Sequence, residues 1–347
     1  MKDRTSIDFQ PCISVDGRNI GSGEPVYVIA EAGVAHFGDL GKAIALVDLA
    51  ADAGADAFKT QAFITDSLIS ARLPEWRSRL RPKEVGFEFI AKMKEHCDQR
   101  GITFLCTAHD PSVLPWLNEL QVSAYKIGSG ERSNTPFLRD IARLGKPMIL
   151  STGMYEEHHL VEAIAAIASE GLDELALLHC VTSYPTPQNQ VNLRAMDRMR
   201  EIFSGPVGYS DHTEGHRVVL AAVAHEAKIV EKHITLDFDV PNAQDWKVSC
   251  GPGDFSAFVR KIREVEAVLG RPVKEVQPCE QAALDWALKS LVAACDLPAG
   301  IVLKPEHLLS KRPGIGLPPS RQKELLGMRL ARPVAKDVAL RLEDLEL

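Results

Sequence analysis

The sequence lacks the features that mark membrane, secreted and nucleic-acid-binding proteins. No apolar run approaches the ~20 residues of a membrane-spanning helix. The opening stretch MKDRTSIDFQ has no apolar core behind its charges, so it does not resemble a secretory signal. Nucleic-acid binding needs a basic surface, yet the net charge is −7 and no Lys/Arg-rich run occurs. We therefore expect a cytoplasmic protein with neither a membrane nor a nucleic acid as partner.

Cysteine pairs are also missing. The seven cysteines form no C-x-x-C motif, so the sequence predicts no zinc–cysteine site. Cys106 and Cys180 lie inside apolar, strand-like runs, which suits reduced thiols in a cytoplasmic protein.

What the sequence does contain is a repeat of short β-rich runs and helix-compatible segments. The segments 40–54 and 86–101 show apolar spacing near 3.6 and end on glycine, as helices do. Strands alternating with helices predict a parallel sheet, and eight repeats predict closure into a (β/α)₈ TIM barrel of the α/β class. An open doubly wound sheet is the alternative, but its usual glycine-rich phosphate turn is missing. The runs are 26–33, 56–63, 102–109, 124–129, 147–154, 175–184, 206–213 and 227–236.

Three further segments flank the barrel repeats. Alternating residues around Asp16-Gly17 predict an N-terminal β-hairpin that closes the barrel floor. After the barrel, charge and proline dominate residues 271–285, which suits a linker. Residues 286–347 then show short strands with frequent Pro and Gly, which predict a small β-rich domain of marginal independent stability. The barrel domain is accordingly placed at residues 1–270.

Polar residues end nearly every predicted strand. Chemistry in TIM barrels gathers at the carboxyl-terminal ends of the strands, so these residues predict an active site there. Residues two apart share one face of a strand. The pairs that share a face are Lys59 with Gln61, Ser210 with His212, and Glu231 with His233.

Two histidines end neighbouring strands. His212 and His233 could converge as ligands for Mn²⁺, Zn²⁺ or Fe²⁺, with carboxylate, water or substrate oxygen completing the shell. Two hydrogen-bonded core histidines are the alternative. Lys232 should point away from the site, and we expect Lys232→Ala to remove neither metal binding nor turnover.

Two lysines lie in nearly apolar strands. Lys59 and Lys126 need an anion nearby, because an unpaired buried ammonium is costly. The anion is either a protein carboxylate or a bound phosphate or carboxylate ligand. Hydroxyl donors on Thr107, Ser129 and Ser151 would complete a pocket for a small dianionic substrate.

Eight motifs follow one another along nearly the whole chain: AEAGVAHFGD, ADAFKTQAF, YKIGSGE, ILSTGM, HCVTSYPTP, GYSDHT, VEKHITLD and SKRPGIG. This ordered set resembles the bacterial sialic acid synthase family. Its tail resembles the antifreeze-like (SAF) domain that follows the barrel in that family. The resemblance implies condensation of phosphoenolpyruvate with the open-chain aldehyde of an N-acylated amino sugar such as N-acetylmannosamine, giving a nonulosonic acid and phosphate. It also implies a divalent ion, Mn²⁺ or Mg²⁺, and a domain-swapped homodimer.

The resemblance also implies a role for each matching residue. His212 and His233 match the metal ligands. Glu31 and Glu231 lie close to the reacting centre, where either could activate water as a general base or simply form an ion pair. Arg312 matches an arginine that the partner's SAF domain inserts over the active site. The phosphoenolpyruvate contacts are Lys59, Thr107, Lys126, Ser129, Ser151 and Ser210, and the sugar side has Gln61, Thr182, Tyr184 and Asp245.

Four departures from the family pattern fall on substrate-facing loops. Ala35 replaces an amide residue, Thr182 stands where asparagine is frequent, and residues 106–110 read CTAHD. The loop 242–245 is Asn-Ala-Gln-Asp, with the family's aspartate retained. Legionaminic, pseudaminic and spore-coat-type sugars therefore stay open as products. A different metal-dependent barrel enzyme, such as a Schiff-base aldolase, and a non-catalytic scaffold are the remaining alternatives.

Overall fold

The computed structural model describes residues 8–241 and 243–346, so Asn242 of the loop noted above lies outside the described residues. The chain divides into two compact units after Gly270. Each unit is described by itself below.

The first unit opens with an antiparallel hairpin, Cys12–Val15 (β1) and Arg18–Gly21 (β2). Asp16 and Gly17 form its turn with positive φ of 52° and 75°, a conformation that Asp tolerates and Gly adopts freely. Ile13, Val15 and Ile20 are fully buried in one apolar cluster with residues of the barrel strands. The predicted N-terminal hairpin is therefore confirmed, and its apolar side chains pack against the barrel interior.

Eight parallel strands follow and close into a barrel in which the last strand pairs with the first. The predicted TIM barrel is thus confirmed, and the alternative prediction of an open doubly wound sheet is wrong. The strands are nearly continuous buried runs, as expected where both faces of a parallel sheet are covered. They are Tyr27–Gly33 (β3), Ala57–Ala62 (β4), Thr103–Ala108 (β5), Tyr125–Ile127 (β6), Met148–Ser151 (β7), Leu175–Cys180 (β8), Val207–Asp211 (β9) and Ile229–His233 (β10).

Helices cover the outside of the barrel and bury their apolar faces against the strands. Asp39 caps the first helix by accepting the Lys42 amide, and Gly101 ends the fourth at φ 65°. None of the helices in the described residues is long and apolar enough to cross a membrane. The helices are Leu40–Asp52 (α1), Thr65–Leu68 (α2), Pro74–Leu80 (α3), Phe87–Arg100 (α4), Leu114–Glu119 (α5), Thr135–Ala142 (α6), Glu157–Ala168 (α7), Ala195–Ile202 (α8), Arg217–Ala224 (α9) and Phe255–Leu269 (α10).

The second unit is small and has its own core. Its helices are Gln281–Ala287 (α11) and Gln322–Leu325 (α12), and the strands Ser290–Ala293 (β11) and Leu308–Lys311 (β12) pair antiparallel. Helix α11 begins inside the stretch 271–285 that the sequence suggested as a linker. Eleven buried apolar residues, among them Leu291, Leu330 and Leu340, form one cluster.

All seven cysteines of the chain are free thiols.

Candidate active site

The carboxyl-terminal mouth of the barrel gathers the polar residues that the strand ends predicted. Ile229 belongs to the apolar cluster inside the barrel. Glu231 and His233 follow it at two-residue steps on β10, so all three share the inward face. Both polar side chains are buried. Such polar burial at the end of a core strand is costly unless the side chains find partners.

Two lysines and two glutamates supply most of those partners. Lys59 Nζ lies 2.8 Å from Glu31 Oε2 and 3.7 Å from Glu231 Oε2. Lys126 Nζ lies 3.4 Å from the same Glu231 oxygen. The lysines are thus countered by protein carboxylates, one of the two alternatives left open above. A bound anion would have to compete with those carboxylates for the lysines.

These charges shift one another's pKa. Burial opposes the charged form of Lys59, but the carboxylates of Glu231 and Glu31 outweigh it and raise its pKa. Burial lowers the pKa of Lys126, with Glu231 opposing and Lys59 adding to the effect. Burial alone would raise the pKa of Glu231, but Lys126 and Lys59 lower it well below the ordinary glutamate value. Glu231 is therefore ionised at neutral pH.

Hydroxyl groups orient this charged cluster. Lys59 Nζ donates to Thr107 Oγ1 at 3.3 Å, and Lys126 Nζ donates to Ser151 Oγ at 2.8 Å. Ser210 Oγ donates to Glu231 Oε1 at 3.0 Å.

Ser129 and Thr182 meet at Gly153, at the edge of the same mouth. The Gly153 amide donates to Ser129 Oγ at 2.9 Å. A Cβ added to Gly153 would overlap Thr182 Oγ1 and approach Ser129 Oγ to 2.9 Å. This close approach requires glycine at position 153.

Gln61 and Asp245 lie on the other side of the mouth, beside Glu31. Gln61 Nε2 donates to Glu31 Oε1 at 2.8 Å. A Cβ added to Gly33, whose φ is +54°, would lie 3.5 Å from Gln61 Nε2 and 3.6 Å from Asp245 Oδ2. A cavity of about 190 Å³ adjoins this corner, lined among others by Ala35, Phe37, Gln61, Trp76, Lys83, Asp245 and Trp246.

The two histidines also converge. The ring centroids of His212 and His233 lie 5.4 Å apart. His212 Nδ1 lies 2.7 Å from the Val181 carbonyl and must donate to it, which leaves the lone pair on Nε2. The Tyr184 hydroxyl, 3.0 Å away, donates to that Nε2. Burial and the neighbouring His233 lower the pKa of His212 to about 4, so its imidazole is neutral at physiological pH.

The donor set fits a divalent metal ion. A neutral imidazole with its Nδ1–H bound to a carbonyl is the usual state of a metal-ligating histidine. His233 Nδ1 is buried and has no hydrogen-bond partner among the described residues. Tyr184 and Glu231 lie beside the two rings. Two such imidazoles suit Mn²⁺, Zn²⁺ or Fe²⁺, with oxygen ligands completing the shell.

Lys232 forms a buried ion pair on the outer face of β10. It does point away from the mouth, but it is only 1% exposed, and its Nζ donates to Asp211 Oδ2 and to the Thr213 carbonyl, both at 2.6 Å. Asp211 is fully buried as well. The sequence did not reveal this ion pair, because an outward residue of a barrel strand faces helices and not water. That Lys232→Ala removes neither metal binding nor turnover stays a prediction.

The structure adds His109 to the site. Its Cε1 lies 3.6 Å from where a Cβ on Gly128 would be, at the end of β6. Burial lowers its pKa to about 4, and Lys59 and Lys126 act in the same direction, so a neutral imidazole faces the lysines. The motif CTAHD carried this signal, but only as a departure from the family pattern.

Arg312 belongs to the second unit. Its guanidinium lies 5.4 Å from the centre of the Trp286 ring in that unit. The remaining residues predicted for the site all lie at the barrel mouth.

Comparison with known proteins identifies the family. The NeuB family profile matches residues 46–274, and the SAF domain profile matches residues 289–346. The chain belongs to the NeuB family. The resemblance to sialic acid synthases and the predicted SAF domain are therefore confirmed.

Three relatives of this NeuB family chain are named as sugar acid synthases. It is 37% identical to N,N′-diacetyllegionaminic acid synthase from Campylobacter jejuni, over 90% of this chain and 98% of that protein. It is 32% identical to human N-acetylneuraminate-9-phosphate synthase, over 92% and 93% of the two chains. The crystal structure of N-acetylneuraminic acid synthetase from Leptospira borgpetersenii is 33% identical, covers 80% of this chain and 97% of its own, and gives a TM-score of 0.75.

Proposed function

We propose that this chain condenses phosphoenolpyruvate with the open-chain aldehyde of an N-acylated amino sugar, giving a nonulosonic acid and phosphate. The observation that carries the proposal is the buried cluster of Lys59, Lys126, Glu31 and Glu231, held beside two convergent histidines at the mouth of a NeuB family barrel. Relatives covering nearly the whole chain are named as synthases of such acids.

Phosphoenolpyruvate binding would use the two lysines. The ligand is anionic at its phosphate and its carboxylate, and Lys59 and Lys126 offer charged donors with Thr107, Ser151 and Ser129 nearby. The lysine contacts to Glu231, at 3.4 and 3.7 Å, are longer than the Lys59–Glu31 contact at 2.8 Å. The longer contacts are the weaker ones, so an incoming anion replaces Glu231 before it replaces Glu31.

The reaction then forms a carbon–carbon bond and a carbon–oxygen bond to water, and it breaks the carbon–oxygen bond to phosphate. The methylene carbon of phosphoenolpyruvate attacks the aldehyde carbon, and water adds to the cationic C2 that results. Collapse of this adduct expels phosphate and leaves the 2-keto acid. Glu31 or Glu231 accepts the proton of the attacking water as general base, a role for which an ionised carboxylate is competent.

A divalent ion completes the proposed site. His212 and His233 would hold it: the ion would replace the Tyr184 hydroxyl at the lone pair of His212 Nε2, and His233 Nδ1 is without a partner among the described residues. Mn²⁺ or Mg²⁺ there would act as a Lewis acid toward the sugar aldehyde.

The acceptor sugar would lie against Gln61, Tyr184, Asp245 and Thr182. The adjoining cavity combines polar atoms with the rings of Phe37 and Trp246, a lining that suits a sugar carrying acyl groups. N-acetylmannosamine is the acceptor sugar that we propose first. The alternatives are the precursors of legionaminic, pseudaminic or spore-coat-type sugars.

The proposed assembly is a domain-swapped homodimer. In it the partner subunit's Arg312 contacts the acyl group of the sugar. Docking on a neighbouring subunit would also stabilise a domain as small as residues 286–347.

The experiment combines purified protein, phosphoenolpyruvate and Mn²⁺ with a panel of 2-acetamido and 2,4-diacetamido hexoses. We expect phosphate release only when donor, metal and a matching acceptor are all present, and a product mass equal to acceptor plus pyruvate. Phosphate release that persists after chelation would contradict the metal role. Trapping of Lys59 or Lys126 with borohydride and a keto acid would indicate a Schiff-base aldolase instead. Saccharide binding without turnover across the panel would indicate a scaffold.

A further inference from the structure

A second group of metal-binding side chains lies outside the barrel interior, between the loops that follow β9 and β10. His216 immediately precedes α9, and Asp254 immediately precedes α10. Cys250 forms an isolated β-bridge with Ile234, and Ile234 lies one residue beyond the end of β10. The cluster is separate from the His212–His233 site and plays no part in the proposed reaction.

The three ligand atoms are already close together. His216 Nε2 lies 3.7 Å from Cys250 Sγ and 3.9 Å from Asp254 Oδ1. All three atoms lie within 4.8 Å of one another. In a tetrahedral zinc site, metal–ligand distances of roughly 2.0–2.3 Å put neighbouring ligand atoms about 3.5 Å apart. A metal ion would therefore need only small side-chain shifts to bind all three.

The chemistry of the set is selective. A thiolate, an imidazole and a carboxylate together match Zn²⁺, whereas Mg²⁺ prefers oxygen ligands alone. Cys250 is buried and Asp254 is exposed, so the site has an apolar back and an open solvent side. The open side provides an entry path and room for water as the fourth ligand.

We propose that His216, Cys250 and Asp254 bind a Zn²⁺ ion whose fourth ligand is water. The Cys250 amide donates to the His233 carbonyl at 2.8 Å, and the Thr235 amide donates to the Cys250 carbonyl at 3.0 Å. The ion would thus join the start of α9 to the chain segment that leaves β10 and passes Asp245. Its effect is to fix the loops around the mouth.

Lys261 is the charged neighbour that opposes the ion. Its Nζ lies 3.2 Å from His216 Nδ1, and burial together with Lys261 lowers the pKa of His216. The imidazole is therefore neutral, but as long as Lys261 donates to Nδ1 the ring proton lies on Nε2, so the ion must displace Lys261 from Nδ1 before Nε2 can be a ligand. Lys261 itself is exposed, so its side chain can turn into solvent when the ion binds. Removing this ammonium should strengthen metal binding.

The test is a Co²⁺ titration of the full chain after chelator treatment. Thiolate ligation to Co²⁺ gives a charge-transfer band in the near ultraviolet, and Zn²⁺ should displace it. We expect the band in the unsubstituted chain and in His233→Ala, which lacks a ligand of the mouth site. It should disappear in Cys250→Ala and persist in the control Cys97→Ala, another buried thiol of the first unit.

Two surface variants keep the test independent of folding. Asp254→Asn should weaken Co²⁺ binding tenfold or more, and Lys261→Met should tighten it. Absence of the band in the unsubstituted chain would overturn the proposal. So would a band that survives Cys250→Ala, because Cys180 Sγ, 3.6 Å from His212 Nδ1, would then be its source. Unchanged affinity in Asp254→Asn would overturn the three-ligand site.

Discussion

The buried ion pair between Lys232 and Asp211 supports a quantitative prediction about folding. Lys232→Met keeps the length and apolar bulk of the side chain but removes the ammonium. Asp211 Oδ2 and the Thr213 carbonyl then lose donors at 2.6 Å each. Asp211 Oδ1 keeps three, from Tyr209 Oη and from the amide and hydroxyl of Thr213 at 2.8–3.0 Å.

The magnitude follows from those contacts. Breaking a buried pair by removing one partner costs about 3–5 kcal/mol, because the other charge stays buried without compensation. The three bonds that Asp211 Oδ1 keeps place this case near the lower bound, about 3 kcal/mol. For a domain of this size that loss corresponds to roughly 6–12 °C in Tm. Adding Asp211→Asn removes the orphaned charge, so the double variant should regain part of the loss.

The assay is thermal unfolding followed by circular dichroism, with the exposed Lys92→Met on α4 as the matched control. The control should stay within about 0.5 kcal/mol of the unsubstituted chain. A Lys232→Met variant as stable as Lys92→Met would refute the buried ion pair. A double variant no more stable than Lys232→Met would refute the role of the uncompensated carboxylate.

Four further predictions concern the mouth. His233→Ala should leave the barrel folded and abolish both Mn²⁺ binding and turnover, measured by calorimetry and phosphate release; retained binding would exclude His233 as a ligand. Glu231→Gln should reduce turnover about 10²–10⁴-fold if Glu231 is the general base, and a small loss there with a large one in Glu31→Gln would reverse the assignment. Because the pKa of Glu231 is lowered in the folded chain, its ionised carboxylate stabilises the fold above the ordinary glutamate pKa, and this stabilisation is lost as pH falls through the lowered value. Glu231→Gln should therefore flatten the acid branch of the curve of unfolding free energy against pH. An unchanged acid branch would contradict the shift. Ala35→Asn should change KM for the acceptor up to about tenfold, the worth of one hydrogen bond, without changing KM for phosphoenolpyruvate; equal changes in both would place Ala35 outside the acceptor pocket.

The barrel was predictable because its signals are local. Strand period alone put Glu231 and His233 on one face, and counting the repeats gave the closed sheet. The strand ends were less exact: Thr182 and Tyr184 lie in the loop after β8, which stops at Cys180. Thr and Tyr are residue types that strands favour, so composition does not show that Thr182 and Tyr184 lie beyond the strand end.

Contacts between distant segments were not predictable. Lys232 and Asp211 are each unremarkable in sequence, and only the packing of helices on the barrel buries them together. The same holds for His216 and Cys250, which no short metal-binding spacing connects. The sequence argued against a zinc–cysteine site only through the missing C-x-x-C spacing, and that spacing does not report on His216, Cys250 and Asp254, which the fold brings together from two loops as the ligands of the proposed site.

The charge balance at the mouth bears on how the proposed base works. Without substrate, Lys59 and Lys126 neutralise Glu31 and Glu231, and their charges keep Glu231 ionised. A general base held that far below neutral pH accepts a proton poorly. When an anionic substrate takes the lysine contacts, Glu231 loses the interactions that lower its pKa, and burial then raises it. Substrate binding would thereby increase the basicity of Glu231 at the moment when water must be deprotonated.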